Sequence, residues 1–564
     1  MVLADLKKQI KALLQLEQAV FSYPPSPALG DLSLACFDLA QAREKSPAAL
    51  AQELAEQVSA NQELKKYFSS VKATGPYLNF FIAAPYLADQ VIREIKSAGD
   101  RYGFNLSGQG RKVMVEYSNG NTHKEYHVGH LRNISYGDAV VNLLAANGYQ
   151  AIPVSYVNDF GIHVAKTIWH WRRDKTYAER PEPKGYLLGR CYAKATQALE
   201  DDPAGKAEVA SIMKEIESRC GENYQLWQTT RRWSIDYFAD IYRELGIKFV
   251  HIFYENEVIA AGLRLVDELI AKKILVKSEG AIIANLEKYG LGVLPVIRSD
   301  GTALYPVADL ALASEKFRAY GLDQSIYVID VRQSLYFKQL FKVLELTGYQ
   351  PAVFHLSYDF VTLPEGMMSS RTGNVITYQE LRDKIFNKLV VETTTRHPGW
   401  SARHIERVAL SLTVSTIKFE MLKVSADKTI TFNINEALRF DGYTACYLQY
   451  GYARLRSIIR KGGLSAWFGR LDLSALSEAK EKQLLLILAR YPEVLAGAGL
   501  KYNPSEVAKY LFELVQSSND YYHEINILKA DPRTKRARLA LIAAIGRVLK
   551  NGFSLLGMKV LEEM

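Results

Sequence analysis

The chain has 564 residues, 48% of them hydrophobic and 23% charged, a balance that belongs to a globular protein and excludes a disordered one. Its length allows three or four domains at about 100–200 residues each. The formal net charge of +9 and pI near 9.0 point towards a polyanionic partner such as nucleic acid, while four scattered cysteines without a CxxC pair argue against a disulfide framework or a cysteine-rich zinc site.

The first eighteen residues, MVLADLKKQIKALLQLEQ, place Leu3, Leu6, Ile10, Leu13 and Leu14 at helical spacing. With no continuous apolar core and no small-residue cleavage site, the stretch predicts an amphipathic helix and not a signal peptide. No apolar run approaches the ~18 residues that a bilayer span requires, so a cytoplasmic location is expected. Helical patterns continue to about 110, interrupted by KATGPYLNFFIA (72–83), a Gly-Pro turn entering an apolar strand; residues 1–110 are expected to form a small α/β domain.

From about 111 the pattern changes. KVMVEYS (112–118) is a β-rich run, a helical run begins near His127, and AIPVSYVND (151–159) is a second strand, a βαβ unit and hence a parallel sheet. SIYVIDV (325–331) followed by the helical LYFKQLFKVLEL (335–346) extends it. Ligands in such sheets lie beyond the carboxyl ends of the strands, so the loops after Ser118, Asp159 and Asp330 are where chemistry is expected. Residues about 166–290 are helix-rich and charged, and are expected to be a helical insertion within a catalytic domain spanning 111–400. Beyond 401 the pattern is almost wholly helical.

The stretch NTHKEYHVGHLRN (121–133) concentrates His123, His127 and His130, three of only ten histidines. A helix starting here would carry His127 and His130 on one face, at the end where free N–H groups and the dipole favour anions. Imidazoles there can donate to phosphate oxygens, Lys124 adds charge, and Gly129 lets a flat ring approach the backbone. A metal site is the weaker reading, because HxxH has no nearby Cys, Asp or Glu to complete a ligand set.

Strand–HxGH–helix resembles the nucleotide-binding signature of class I aminoacyl-tRNA synthetases, and EYSNGNTHKEYHVGHLRN (116–133) resembles its arginyl-tRNA synthetase form, with Ser118, Asn121 and Lys124 at the Ser-x-x-Asn-x-x-Lys positions. The likeness continues in family order through YVNDFGIH (156–163), with His163 where glutamine is usual, SDGTALYPVADLALASEKF (299–317), YVIDVRQSLYFKQLF (327–341), MMSSRTGNVIT (367–377), DGYTACYLQYGYARLRSI (441–458) and the run from 536 to 564. It implies an α/β, doubly wound parallel-sheet (Rossmann-like) core, an N-terminal α/β domain that touches tRNA (1–110) and a C-terminal all-α anticodon-binding domain (401–564). The implied reaction joins L-arginine and ATP to arginyl-adenylate and pyrophosphate, then moves the arginine to the terminal 2′-hydroxyl of tRNA(Arg). ATP carries the Mg²⁺ and no protein-bound structural metal is expected. The resemblance also implies a monomer, and arginine activation that needs tRNA present.

Such a reaction depends on positioning and charge neutralisation. By analogy His127, His130, Lys124 and Arg371 would serve catalysis, and His127, Gly129, His130, Met368, Ser369 and Ser370 would bind ATP. A planar, permanently charged guanidinium calls for carboxylates that accept paired N–H bonds. Asp309 and Glu116 are the candidates, with Tyr305 shaping the slot, Ser118 and Asn121 binding the amino and carboxylate ends, and Gln333 a further polar contact. The second signature departs from the usual Lys-Met-Ser-Lys-Ser, since Met367–Gly373 contains no lysine. Family members lacking that lysine tend to carry one just before the histidine motif, and Lys124 stands there. In the C-terminal region Arg454, Arg456, Arg460, Lys461, Arg533, Lys535, Arg536 and Arg538 are candidate phosphate contacts, and Tyr447, Tyr450, Tyr452, Tyr521 and Tyr522 candidate stacking platforms. Asp31 and Asn79 read as turn and edge residues.

Overall fold

A computed structural model of the chain describes residues 2–16, 19–348, 352–362, 364, 376–463 and 471–564. The helix Val2–Leu14 buries Leu3, Leu6, Ile10 and Leu14, the stripe that their spacing requires. Four antiparallel strands follow, β1 (Phe21–Ser22), β2 (Leu32–Ala35), β3 (Phe68–Thr74) and β4 (Tyr77–Ile82), in the order β1-β2-β4-β3. β3 and β4 meet at Gly75-Pro76, where Gly75 takes the left-handed φ of 56°. Asp31 and Asn79 are more than turn and edge residues, for both are buried. Asp31 accepts the Ile82 amide at 2.6 Å and pairs with Lys482 of the helical region at 2.7 Å; Asn79 accepts from the Ser33 hydroxyl at 2.6 Å.

The middle of the chain carries β5 (Lys112–Glu116), β6 (Gln150–Val157), β7 (His251–Tyr254), β8 (Val276–Ser278), β9 (Ala281–Asn285), β10 (Val293–Ile297), β11 (Gln324–Asp330) and β12 (Val353–Tyr358). Five of these form one parallel sheet in the order β12-β11-β5-β6-β7. Chain order runs outward from β5 to β7 and then restarts on its other side at β11. The crevice at the carboxyl ends of β5 and β11 is therefore the switch point of a doubly wound fold, where ligands bind. Val113, Met114, Val115, Ile326 and Val328 are fully enclosed, as strands covered on both faces must be.

The stretch 166–290 is helical only in part. The helices Ile162–Arg173, Lys184–Ala198, Pro203–Glu217 and Gly221–Leu245 fill its first half. Then β7 joins the main sheet as its edge, and β8–β10 make a separate antiparallel sheet. These strands are three to five residues long, too short for alternation to mark them, and β8 turns into β9 through Glu279-Gly280, both at positive φ.

The helices Ala402–Leu422, Ala445–Gly462, Ala479–Leu500, Pro504–Glu524 and Pro532–Leu555 build the C-terminal region. Ala479–Leu500 is long and apolar enough to cross a membrane, but 61% of its apolar window is packed inside the protein, the environment of a core helix.

The helix Val128–Ala146 lies on the sheet through a side-chain-free contact. A Cβ at Gly137 would stand 2.2 Å from Cγ of the buried Tyr117. Gly137→Ala is therefore expected to destabilise the protein by about 1–3 kcal/mol, the usual cost of overpacking. The check is a fall in apparent Tm against Gly399→Ala, where nothing lies within 4 Å of the added atom.

Candidate active site

The loop from β5 ends at His127, the N-cap of Val128–Ala146. Its imidazole folds back, and Nδ1 accepts the Gly129 amide at 3.1 Å; the His127 amide in turn donates to Nδ1 of His130 at 3.1 Å. The two rings lie 3.9 Å apart. Two of the helix's free amides are thus capped by imidazoles in place of the usual hydroxyl or carboxylate. A ring whose Nδ1 accepts, and which is neutral, carries its proton on Nε2. Burial, with Lys124 and Arg332 nearby, lowers His127 to about 4, and burial with His127 and Lys124 beside it holds His130 well below the ordinary imidazole range. Both are therefore neutral Nε2–H donors at pH 7. A Cβ on Gly129 would come within 3.0 Å of the His127 ring, so glycine here also makes room for the capping imidazole. His123 takes no part in this arrangement: it is fully buried, with its ring between the hydroxyls of Thr122 and Thr230 at 2.9 and 2.8 Å.

Lys124 is partly buried, its ammonium 5.1 Å from the Tyr192 ring centroid, and no carboxylate pairs with it among the described residues. Burial and Lys166 push its pKa down. The neighbouring Glu125 instead faces Arg190 at 3.9 Å. His163 opens the helix Ile162–Arg173; it is buried and held neutral, with Nε2 lacking a partner among the described residues. Asp159 spends its carboxylate on Arg231 and the Asn256 amide, which fastens the helical insertion to the end of β6.

A cavity of about 340 Å³ opens at the switch point, near the small end of ligand sites. Glu116, Asn121, Tyr305, Asp309 and Gln333 line it, as do Asn119, Tyr156, Asn158, Lys316 and Tyr336, which the motif reading did not pick out. Tyr305 and Asp309 occupy the first and second turns of the helix Tyr305–Tyr320, and Tyr305 is 63% exposed at the mouth. The Tyr336 hydroxyl donates to Asp309. Burial, helped by Glu116, pushes Asp309 up to about 7, against the pull of Tyr336 and Lys316. Behind it, burial together with Asp309 and Asp159 raises Glu255 to about 8.

Ser118 is a correction. Its backbone has a φ of 58° and its side chain is buried; Oγ lies 2.9 Å from the Tyr126 hydroxyl and donates to that of Tyr242 at 3.1 Å. It ties the loop to the helix Gly221–Leu245 and is not among the residues that line the cavity. Met368, Ser369, Ser370 and Arg371, with the rest of that signature loop, lie outside the described residues. The segment leaving the loop is described. The Ile376 carbonyl accepts the Val128 amide at 3.2 Å, and the Tyr378 amide donates to Tyr126 at 2.6 Å. Residues 376–378 therefore lie directly beside His127.

Much of the C-terminal basic charge is already paired. Arg456 and Arg460 face Glu562 and Glu563 at 2.6 and 3.5 Å, Arg533 pairs with Asp472 at 2.7 Å, and Arg538 with Glu481 at 2.7 Å. Tyr452 and Tyr521 are buried, and the Tyr447 hydroxyl accepts from Asn519. Tyr450 and Tyr522 reach the surface, with Arg454 stacked 4.2 Å over Tyr522.

Three family models cover most of the chain: "Arginyl tRNA synthetase N terminal domain" at residues 2–82, "tRNA synthetases class I (R), catalytic domain" at 92–434 and "DALR anticodon binding domain" at 448–564. An arginine–tRNA ligase of Bdellovibrio bacteriovorus is 37% identical over 96% of this chain and 93% of its own. That of Halothermothrix orenii is 32% identical over 96% of this chain and 95% of its own. The Thermus thermophilus arginyl-tRNA synthetase structure superposes with a TM-score of 0.81 at 25% identity, covering both chains completely.

The raised Asp309 makes a measurable prediction. A guanidinium entering the cavity requires the carboxylate, but below about pH 7 the empty site holds the acid, and binding must expel its proton. The dissociation constant for L-arginine, read by calorimetry, is expected to be flat above pH 8 and to rise by up to about tenfold per unit below 7. Asp309→Asn is expected to bind weakly and to lose this slope.

Proposed function

The chain belongs to the class I arginyl-tRNA synthetases, and we propose that both steps of its reaction run in the crevice above β5 and β11. As an arginine–tRNA ligase it activates L-arginine with ATP and esterifies tRNA(Arg). In the first step an oxygen of the arginine carboxylate bonds to the α-phosphorus and pyrophosphate leaves. In the second, the 2′-hydroxyl of the terminal adenosine attacks the activated carbonyl and AMP leaves. ATP enters with its own Mg²⁺. The enzyme works as a monomer in the cytoplasm.

The supporting observation is that the carboxylate-lined cavity and the imidazole-capped helix end share one loop, 117–127, and that Arg332 acts on His127 while its neighbour Gln333 lines the cavity. Asp309 and Glu116 receive the guanidinium, Tyr305 covers it and Gln333 adds a polar contact. Asn121 holds the amino or carboxylate end. His127 and His130 hold phosphate oxygens through Nε2–H, and Gly129 admits the adenine. Because both imidazoles are neutral, they stabilise developing charge as dipoles, and full positive charge must come from elsewhere. Lys124, an ammonium without a carboxylate partner among the described residues, supplies it, together with Mg²⁺ and Arg371. Met368, Ser369 and Ser370 complete the ATP contacts.

Aminoacylation of total bacterial tRNA with each labelled amino acid, ATP and Mg²⁺ is expected to charge arginine alone. Lys124→Ala is expected to lower arginine-dependent pyrophosphate exchange, measured with tRNA present, by about 10²–10³-fold, the scale of losing one transition-state charge contact. An exchange rate near that of the parent protein would remove Lys124 from this role.

A further inference from the structure

A cavity built to receive a cation already contains one. Lys316, 1% exposed, places its ammonium against Oε2 of Glu116, whose side chain is 4% exposed. The ammonium sits between two aromatic rings, 5.3 Å from the centroid of Phe253 and 5.1 Å from that of Tyr327. The other carboxylate oxygen, Oε1, accepts from Asn119 at 3.0 Å, and Asn119 is itself fixed by accepting the Tyr156 amide at 3.3 Å. Lys316 follows Asp309 by seven residues on the helix Tyr305–Tyr320, about two turns, so both project to the same side.

We propose that Lys316 is a positioning residue for arginine: it holds the Glu116 carboxylate in one orientation, so that the free lone pairs of Glu116 and Asp309 meet the guanidinium. The physical case has two parts. A buried carboxylate is costly unless a cation and hydrogen-bond donors meet it, and the Lys316 ammonium with the Asn119 amide is that set for Glu116. A carboxylate held at both oxygens also cannot swing to follow the ligand, and only a fork of matching geometry satisfies it. The charge count agrees. Lys316 balances Glu116, and Asp309 remains as the partner for one incoming cation.

The inference rests on the proposed contact between Glu116 and arginine, and a double-mutant cycle separates the two. Glu116→Gln, Lys316→Met and the double variant are compared in steady-state aminoacylation, with KM for arginine, KM for ATP, kcat and Tm recorded. Each single change is expected to raise KM for arginine about 10–100-fold, the scale of a charged hydrogen bond, with little change in KM for ATP. The double variant is expected to match Glu116→Gln alone, because Lys316 acts only through Glu116. Lys316→Met leaves the carboxylate with no cation and can fail to fold, whereas Glu116→Gln keeps a side-chain oxygen that accepts from the Lys316 ammonium and the double variant removes both charges, so these two are compared, with Tm recorded for each, even where Lys316→Met does not fold. Equal KM values in that comparison support the proposal. A further fivefold rise on adding Lys316→Met to Glu116→Gln overturns it. So does a Lys316→Met enzyme that loses Tm or kcat while keeping the parent KM for arginine, the mark of a purely structural lysine. If Glu116→Gln itself leaves that KM unchanged, the Glu116 contact is wrong and the inference falls with it.

Discussion

Charge balance in a buried crevice is the constraint on which the rest of this structure depends. The crevice above β5 and β11 has Glu116 and Asp309 on its walls, with Glu255 close behind Asp309. Several carboxylates cannot all stay ionised away from water without compensation. The fold answers each differently. Glu116 has a resident ammonium and an amide donor; Asp309 has a tyrosine hydroxyl as its donor among the described residues and is raised to about 7; Glu255 is raised to about 8. The empty cavity is thereby kept from being strongly anionic, and its remaining capacity for charge lies at Asp309.

The imidazole-capped helix end obeys the same rule with the opposite sign. A helix N-terminus already favours anions, and two protonated imidazoles there would repel Lys124 and each other in a buried setting. Capping resolves this, because each Nδ1 is used as an acceptor within the protein and each ring stays neutral. The motif therefore offers oriented dipoles with little reorganisation cost. Fixed positive charge nearby is left to Lys124 and Arg332, both of which act on His127.

The strand–loop–helix unit at 112–146 was legible because its apolar run and its helix start are sharply marked, and the four-residue spacing of Tyr305 and Asp309 made legible that they share a helix face, while the block resembling the family drew attention to them. What did not register was whatever depended on a distant partner. Ser118 has the right chemistry and neighbours for a ligand, yet its hydroxyl is engaged by those of Tyr126 and Tyr242. Lys316 looks like a solvated lysine on a mixed helix until β5 places Glu116 beside it, 200 residues away in sequence. The basic residues of the C-terminal helices looked free because their acids, such as Glu562 for Arg456, are remote along the chain. Short strands such as β7 and β8 leave too few residues for alternation to register.

The catalytic helix is not held by its own sheet alone. Arg132, two residues beyond His130, is buried and donates to the carbonyls of Met421 and Ser425, the latter at 2.9 Å. One and a half turns on, Asp138 pairs at 3.0 Å with Lys418, itself 1% exposed. Gly137 lets the opposite face rest on Tyr117. The helix that presents the imidazoles is thus clamped between the sheet, through a contact that tolerates no extra atom, and the helix Ala402–Leu422, through buried cations. Burying those cations is costly unless every one finds its acceptor, so the position of the imidazole-bearing helix end is coupled to correct packing of the C-terminal helices. A chain cut off before residue 402 would leave Arg132 without the Met421 and Ser425 carbonyls and Asp138 without Lys418.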